Sequence, residues 1–218
     1  MPTYSSPAGL SFSTPTANQS SPDLPDDDYA ELRRVLSHDP VSIDQLENGD
    51  QAIIILQRTP FYAESGGQVG DSGEFKSSNC SGIVLDCKKQ GKVFLHKAII
   101  KNGSLKVGNK INVSVSSSKR HATAIHHSAT HLLHSALKEV LGDHVQQKGS
   151  MVSDKYLRFD FSHFEKLSDN QIKEVQNFVN QKIDDHLDLE ENRSADFNEC
   201  INNGVIALFG EKYGDKVR

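Results

Sequence analysis

The spacing of apolar residues changes near residue 118, and that change limits the folds that the chain can adopt. Before it, apolar residues alternate with polar ones, as in 111-INVSV-115, a period of two that is typical of half-buried strands. From Ser118 to Leu141 they recur every three or four positions, which is typical of an amphipathic helix. A β-rich part followed by helix, strand, helix and strand predicts an α+β fold.

Short apolar runs bounded by turn residues mark the predicted strands of the first part. The run 53-IIIL-56 is brief and branched, as in a buried strand. Two further runs flank the turn 88-KKQG-91 and predict a hairpin, and the last follows the turn Gly108-Asn109. The predicted strands of this part lie at 51–57, 83–85 and 93–95 and, after that turn, within the stretch 105–116.

The N-terminal segment, residues 1–28, differs in composition from the rest of the chain. It holds five of the seven prolines and six serines but no lysine or arginine, which predicts a disordered tail because little apolar surface is available for burial. A secretory signal or a transit peptide needs basic residues that this segment lacks. Immediately after it, Tyr29 to Ser37 is predicted as a short helix, with Asp26 to Asp28 available as caps.

Charge and cysteine content narrow the choice of partners and compartments. The net charge is −5 at pH 7, so contact with a nucleic acid would have to come from a local basic patch. The three cysteines form no CxxC pair, and their odd number argues against a disulfide framework. No apolar run approaches the ~18 residues of a membrane span. These features predict a cytoplasmic protein that meets neither membrane nor DNA, with an organellar location left open.

The second part of the sequence alternates helix and strand signals. The helix that begins at Ser118 is predicted to stop at Gly142, and the stretch 156-YLRFDFSHF-164 alternates as a strand does. The sequence 168-SDNQ-171 is a capping box that starts a further helix, and a last apolar run covers residues 205–209. The second helix carries one apolar stripe, formed by Ile172, Val175, Val179, Ile183 and Leu187.

Three histidines share one side of the first helix. At 100° per residue, His131 and His134 lie within roughly 40° of His127. An apolar stripe falls on the other side of the helix and consists of Ala129, Leu133, Ala136, Leu137 and Val140. Packing in a core therefore does not explain them. Two interpretations remain open: a solvated or RNA-facing polar stripe that includes Lys138, or zinc ligation by His127 and His131, whose spacing of four brings two imidazoles together.

The stretch 59-TPFYAESGGQVGDSGEF-75 combines two adjacent glycines with polar side chains. Gly66 and Gly67 either form an ordinary hairpin turn or allow a ligand to approach the main chain closely. Thr59 and Gln68 are groups suited to a polar ligand. The stretch is not a phosphate-binding loop, because the GxxxxGK[ST] pattern is missing.

Together these stretches resemble the editing region of the alanine–tRNA ligase family. The family signature TxFYxExGGQxxD corresponds to Thr59 through Asp71, and its HSATHLLH helix to His127 through His134. Three further segments match in the same order, and the resemblance covers about residues 48–218. These segments are 142-GDHVQQKGSMV-152, 157-LRFDFSH-163 and 207-ALFGEKYGDKVR-218.

The resemblance implies a fold, an activity and a set of site residues. It implies a β-barrel-like subdomain at 29–117, followed by a helix-on-sheet α+β editing core at 118–218 that is incomplete at its C-terminus. The activity would be hydrolysis of tRNA(Ala) mischarged with serine or glycine, since a pocket shaped for alanine rejects neither strongly. The implied roles are catalysis for Thr59 and Gln68, substrate binding for Gly66, Gly67 and Lys148, and zinc ligation for His127 and His131.

The sequence also departs from the family pattern. The family's other two zinc ligands come from a CxxxH motif that these residues do not include, so we expect an incomplete Zn²⁺ site. The resemblance implies ATP as a cofactor of the full-length family only. The remainder of a split alanine–tRNA ligase is therefore an expected partner besides the mischarged tRNA(Ala). Two alternatives stay open: a tRNA-binding module without turnover, whose phosphate contacts would be Lys119, Arg120 and Lys148, or an inactive remnant.

Overall fold

A computed structural model describes residues 29–36, 42–186, 192, 194–203, 205 and 214–217. The predicted tail at 1–28 and most of the predicted run at 205–209 lie outside these residues. None of the helices in the described part combines the length and the apolar content needed to cross a lipid bilayer.

The chain divides into two compact units. One contains the described residues up to Thr130 together with Gly149–Asp160, and the other contains His131–Lys148 and the described residues from Phe161 on. This grouping differs from the domain boundary that the sequence places between residues 117 and 118, which stays a prediction about domain organisation.

Antiparallel strands form most of the first unit. Seven of them pair in the order β2-β1-β4-β7-β6-β5-β9, and β1 pairs with β9 as well as with β4. The strands are β1 Tyr29–Leu36, β2 Ser42–Ile43, β3 Gln45–Leu46, β4 Gln51–Leu56, β5 Gly73–Lys76, β6 Cys80–Gln90, β7 Val93–Gly103, β8 Leu105–Lys106 and β9 Lys110–Val115.

The remaining elements mix helices with short strands, so the chain is an α+β protein. The predicted hairpin is confirmed as β6 and β7, and the predicted helix at 118–141 is confirmed with a start one residue earlier. The elements are α1 Ser117–Leu141, β10 Gln147–Val152, β11 Leu157–Phe161, α2 Asp169–Asp184, β12 Ala195–Asp196, α3 Phe197–Asn202 and β13 Lys216–Val217. Strands β10 and β11 pair with each other, as do β12 and β13.

The predicted helix at Tyr29 to Ser37 is wrong, because Tyr29–Leu36 form strand β1. Its first part pairs with β9, where Ala30 faces Ile111, and its second part pairs with β4, where Val35 faces Ile54. Hydrogen bonds to two neighbouring strands satisfy the backbone groups that a helix would satisfy locally, and such tertiary pairing overrides a weak local helix preference.

The hydrophobic core of the first unit lies on one face of these strands. Along β4 the buried residues alternate, with Ala52, Ile54 and Leu56 inward, as the period of a strand requires. Burying one such isoleucine or leucine stabilises the fold by about 1.5–3 kcal/mol. A polar residue, His96 on β7, lies beside this core: it stands opposite Ile54 and is fully buried.

The ends of the two long helices follow the sequence. Gly142 ends α1 with a φ of 107°, a conformation that glycine adopts without strain. The predicted capping box of α2 is confirmed, since the Ser168 hydroxyl accepts from the Gln171 amide and the Gln171 side chain accepts from Ser168. On the predicted stripe of α2, Val175 is buried, whereas Ile172 and Ile183 are 48% and 53% exposed.

Candidate functional site

The two glycines of the 59–75 stretch form a tight hairpin turn. Gly66 and Gly67 have φ values of 56° and 81°, while Ser65 and Gln68 exchange two backbone hydrogen bonds of 3.2 Å and 2.9 Å. A two-residue turn with positive φ at both positions is the type I′ hairpin, which glycine favours. The hairpin-turn interpretation is therefore confirmed, and substrate binding by these glycines stays a prediction.

The glycine turn is fixed against strand β10. The Val152 amide donates to the Gly67 carbonyl at 2.8 Å, and the Val69 amide donates to the Val152 carbonyl at 3.0 Å. A Cβ atom on Gly67 would lie 2.7 Å from the carbonyl oxygen of Ser150, closer than any real side chain approaches. The turn thus holds the backbone of Gln68, whose side chain is buried.

Gln68 contacts the histidine helix. Its Oε1 atom lies 2.9 Å from Nδ1 of His127 on α1, a residue 59 positions later in the sequence. An amide oxygen only accepts hydrogen bonds, so the His127 ring carries its proton on Nδ1. In a neutral imidazole, Nε2 then holds the lone pair that could bind an electrophile. This contact joins the two motifs that the sequence singled out.

Thr59 contacts a histidine that sequence reasoning missed. Its Oγ1 atom lies 2.8 Å from Nε2 of His96, and Nδ1 of His96 lies 3.0 Å from the carbonyl oxygen of Ile54. Burial lowers the pKa of His96, although the Ile54 carbonyl opposes this shift. The sequence carries one signal of this residue: His96 alternates with Ala98 and Ile100, so on strand β7 it shares their face, where an apolar residue is expected.

An ion pair ties the 59–75 stretch to the start of α1. Oδ2 of Asp71 accepts hydrogen bonds from Arg120, through Nε at 3.1 Å and through Nη2, and from the Tyr62 amide at 2.7 Å. Arg120 also donates to the Pro60 carbonyl at 2.7 Å. Arg120 therefore has an internal role, which weighs against its predicted role as a phosphate contact. Lys119 and Lys148 are exposed.

The histidine side of α1 is partly buried. His126 donates from Nδ1 to the Ser153 carbonyl at 2.7 Å, and His127, His131 and His134 are each only partly exposed. Burial lowers the pKa of His131, and burial followed by the charges of Lys138 and His131 lowers the pKa of His134. The interpretation as a freely solvated stripe therefore loses support.

Two side chains have the chemistry of zinc ligands. His127 and His131 stand four positions apart on α1, and zinc binds neutral imidazoles. The lowered pKa of His131 favours that form, and the hydrogen bond to Gln68 fixes which nitrogen of His127 carries the proton. Among the residues that the structure describes, no three histidine, cysteine or acidic side chains group as a metal site. The described residues thus offer two of the three or four ligands that zinc usually takes.

Known proteins match this chain over most of its length. The family model described as tRNA synthetases class II (A) matches residues 27–119. The alanine–tRNA ligase of Pseudomonas fluorescens is 49% identical over 177 residues, which make up 81% of this chain and 20% of that protein. The alanine–tRNA ligase of Haemophilus influenzae is 49% identical over 183 residues, which make up 84% of this chain and 21% of that protein.

These matches place the chain among the tRNA synthetases. Within that class, the chain belongs to the alanine–tRNA ligase family. The resemblance to the alanine–tRNA ligase family is confirmed. The chain spans about a fifth of the length of the curated relatives it matches.

Proposed function

We propose that this segment carries the front of an editing region, which hydrolyses the ester of tRNA(Ala) mischarged with serine or glycine. The first unit would be its barrel-like subdomain, consistent with the pairing of β1 to both β4 and β9. Residues 118–218 would begin the editing core. The remainder of an alanine–tRNA ligase would supply what the core needs to be complete.

The hydrogen bond between Gln68 and His127 carries this proposal. A metal-ligating histidine usually donates its second ring N–H to a fixed carbonyl or carboxylate, which orients the ring and sets its tautomer. Gln68 is in that position toward His127, at 2.9 Å, and its own backbone is held by the glycine turn. His127 and His131 would hold Zn²⁺. When bound, the zinc would supply Lewis-acid chemistry for ester hydrolysis or would orient the tRNA 3′ end.

Thr59 and Gln68 would line the pocket for the mischarged amino acid. Both belong to the segment that the Asp71–Arg120 ion pair attaches to α1. Thr59 is partly exposed, so a bound group could reach its hydroxyl. Editing of this kind addresses a physical limit, because a pocket shaped for alanine discriminates weakly against a smaller or a hydroxylated rival.

Exposed lysines would contact the tRNA backbone. Lys119 lies in the first turn of α1 and Lys148 lies on β10, and both are exposed. Because the net charge of the chain is −5, attraction to phosphates would be local and strongly dependent on salt. Such contacts position the substrate without reading its sequence.

A deacylation assay tests the proposal. The purified chain with added Zn²⁺ is mixed with seryl-, glycyl- and alanyl-tRNA(Ala), and free amino acid is measured over time. We expect release of serine and glycine, little release of alanine, and loss of turnover in His131→Ala. The matched control is His121→Ala, an exposed histidine on the same helix, which should retain turnover.

Two outcomes would overturn the proposal. Turnover that survives in His131→Ala would remove the helix histidines from the mechanism. Salt-sensitive binding of tRNA without release of amino acid would instead identify a binding module, because phosphate contacts alone do not cleave an ester.

A further inference from the structure

A buried line of hydrogen bonds ends at the Thr59 hydroxyl. It begins at the Ile54 carbonyl on β4, passes through both ring nitrogens of His96 on β7, and reaches Oγ1 of Thr59 with contacts of 3.0 Å and 2.8 Å. The Phe61 amide donates to the same Oγ1 atom at 3.1 Å. These partners lie within one compact unit of the fold.

The direction of each hydrogen bond follows from the chemistry of its ends. A carbonyl oxygen only accepts, so His96 donates from Nδ1 to Ile54. The neutral ring then has an acceptor at Nε2, which takes the hydroxyl proton of Thr59. A hydroxyl has one proton and two lone pairs. With its proton given to His96 and one lone pair used by Phe61, Thr59 can offer a ligand one remaining lone pair and its methyl group.

Burial separates the roles of the two residues. His96 is fully buried, whereas Thr59 is partly exposed, so a ligand could touch Thr59 but could not touch His96. A polar ring in an apolar core is costly unless both nitrogens are hydrogen-bonded, and here both are. Phe61 packs edge-on against the ring at 5.5 Å, which restricts its rotation further.

We propose that His96 is a positioning residue that makes the Thr59 hydroxyl an acceptor-only group. Thr59 would then accept a hydrogen bond from the side-chain hydroxyl of a bound seryl group. A glycyl group has no side chain to donate, and an alanyl methyl has no donor. His96 would therefore favour the seryl ester over its rivals without contacting it. This inference rests on the proposed editing function for the identity of the ligand.

The first test measures the hydrogen bonds without activity. Ring ¹⁵N NMR of the full chain should show His96 protonated at Nδ1 and unprotonated at Nε2. Thr59→Val should shift the Nε2 signal and leave the Nδ1 proton in place. Thr123→Val, at a buried threonine on α1, is the control and should leave both signals unchanged. A proton on Nε2 in the wild-type chain would overturn the inference.

The second test measures the preference for a seryl group. Adenosines that carry seryl or glycyl at the 3′ position through a stable amide are titrated onto the chain, and the ratio of the two Kd values is compared. Loss of one hydrogen bond to the seryl hydroxyl should lower the seryl preference about three- to tenfold in His96→Leu. In His96→Gln the side-chain amide oxygen can still accept from Thr59, so this variant should keep part of the seryl preference.

A double-mutant cycle separates positioning from general disturbance. In a Thr59→Val background, His96→Leu should change the ratio no further, because the group through which it acts is gone. Circular dichroism of each variant shows whether it folds. If His96→Leu does not fold, His96→Gln is used in its place.

The outcomes distinguish the two proposals. An unchanged seryl-to-glycyl ratio in His96→Leu and in His96→Gln would refute the positioning role, whether or not the wild-type chain hydrolyses tRNA esters. A shifted ratio in a wild-type chain without turnover would leave the positioning role intact and would refute hydrolysis alone.

Discussion

Replacing Arg120 by methionine should destabilise the fold, because Arg120 holds the 59–75 stretch against α1. Its guanidinium donates to Oδ2 of Asp71 through two nitrogens and to the Pro60 carbonyl at 2.7 Å. The side chain of Asp71 is only 9% exposed, and that of Arg120 is 28% exposed. Methionine keeps most of the aliphatic packing of the arginine stem and removes the charge with its three hydrogen bonds.

The magnitude follows from what remains after the substitution. Asp71 keeps one donor, the Tyr62 amide at 2.7 Å, and is left as a nearly buried carboxylate without a counter-charge. Removing one partner of a fully buried pair costs about 3–5 kcal/mol. Because Arg120 is partly solvated, we expect Arg120→Met to lower the free energy of unfolding by about 2–4 kcal/mol. Adding Asp71→Asn to Arg120→Met should restore part of the lost stability, since an amide carries no charge that would be left without a counter-charge.

The chain contains a matched control for this measurement. Arg158 also pairs with an aspartate, Asp160, through Nη2 at 3.1 Å, but their side chains are 61% and 47% exposed. Exposed pairs contribute about 0–1 kcal/mol. Urea unfolding at pH 7 should therefore show a large loss in Arg120→Met and a small one in Arg158→Met. Equal losses in the two variants would refute the reasoning from burial.

Three further predictions follow from the described residues. Gly67→Ala should lower the free energy of unfolding by about 1–3 kcal/mol, because φ is 81° and Ser150 leaves no room for a Cβ. Gly91→Ala, with open space around it, should lower it less in the same urea assay. A reversed order of the two variants would contradict the geometry. Burial lowers the pKa of His96 from 6.5. The neutral His96 ring therefore stabilises the fold above pH 6.5, and this stabilisation is lost as the pH falls toward the lower pKa of the folded state. Between pH 7 and pH 4 the melting temperature of His96→Gln should fall less steeply than that of the wild type, and parallel curves would contradict this. Burial, followed by the charges of Asp86 and Asp71, raises the pKa of Cys87 to about 12, so iodoacetamide at pH 8 should alkylate the half-exposed Cys200 well before Cys87, as peptide mass spectrometry would show.

Local signals predicted the elements whose conformation their own residues favour. The branched run of β4, the turn of the β6–β7 hairpin and the capping box at Ser168 were readable from the sequence and are confirmed. Strand β1 was not, because its conformation depends on pairing with β4 and β9 rather than on its own residues. Its local pattern resembles a capped helix.

The site was predictable only in part, for a related reason. The helical spacing of His127 and His131 follows from the sequence, and the adjacent glycines predict a tight turn. The contact of Gln68 with His127 joins residues 59 positions apart, and no local pattern specifies such a pairing. His96 reaches Thr59 and Ile54 across 37 and 42 positions. Its only local signal is a polar residue where an apolar one is expected.

The zinc affinity of Gln68→Ala tests the central claim that the glycine motif and the histidine helix form one site. Isothermal titration of Zn²⁺ should show measurable binding by the wild-type chain and binding at least about tenfold weaker in Gln68→Ala, since the partner that orients a metal ligand contributes that much. Adding His127→Ala to Gln68→Ala should then cost less than His127→Ala alone. Zinc affinity that is absent from the wild-type chain, or that is unchanged in Gln68→Ala, would contradict the account.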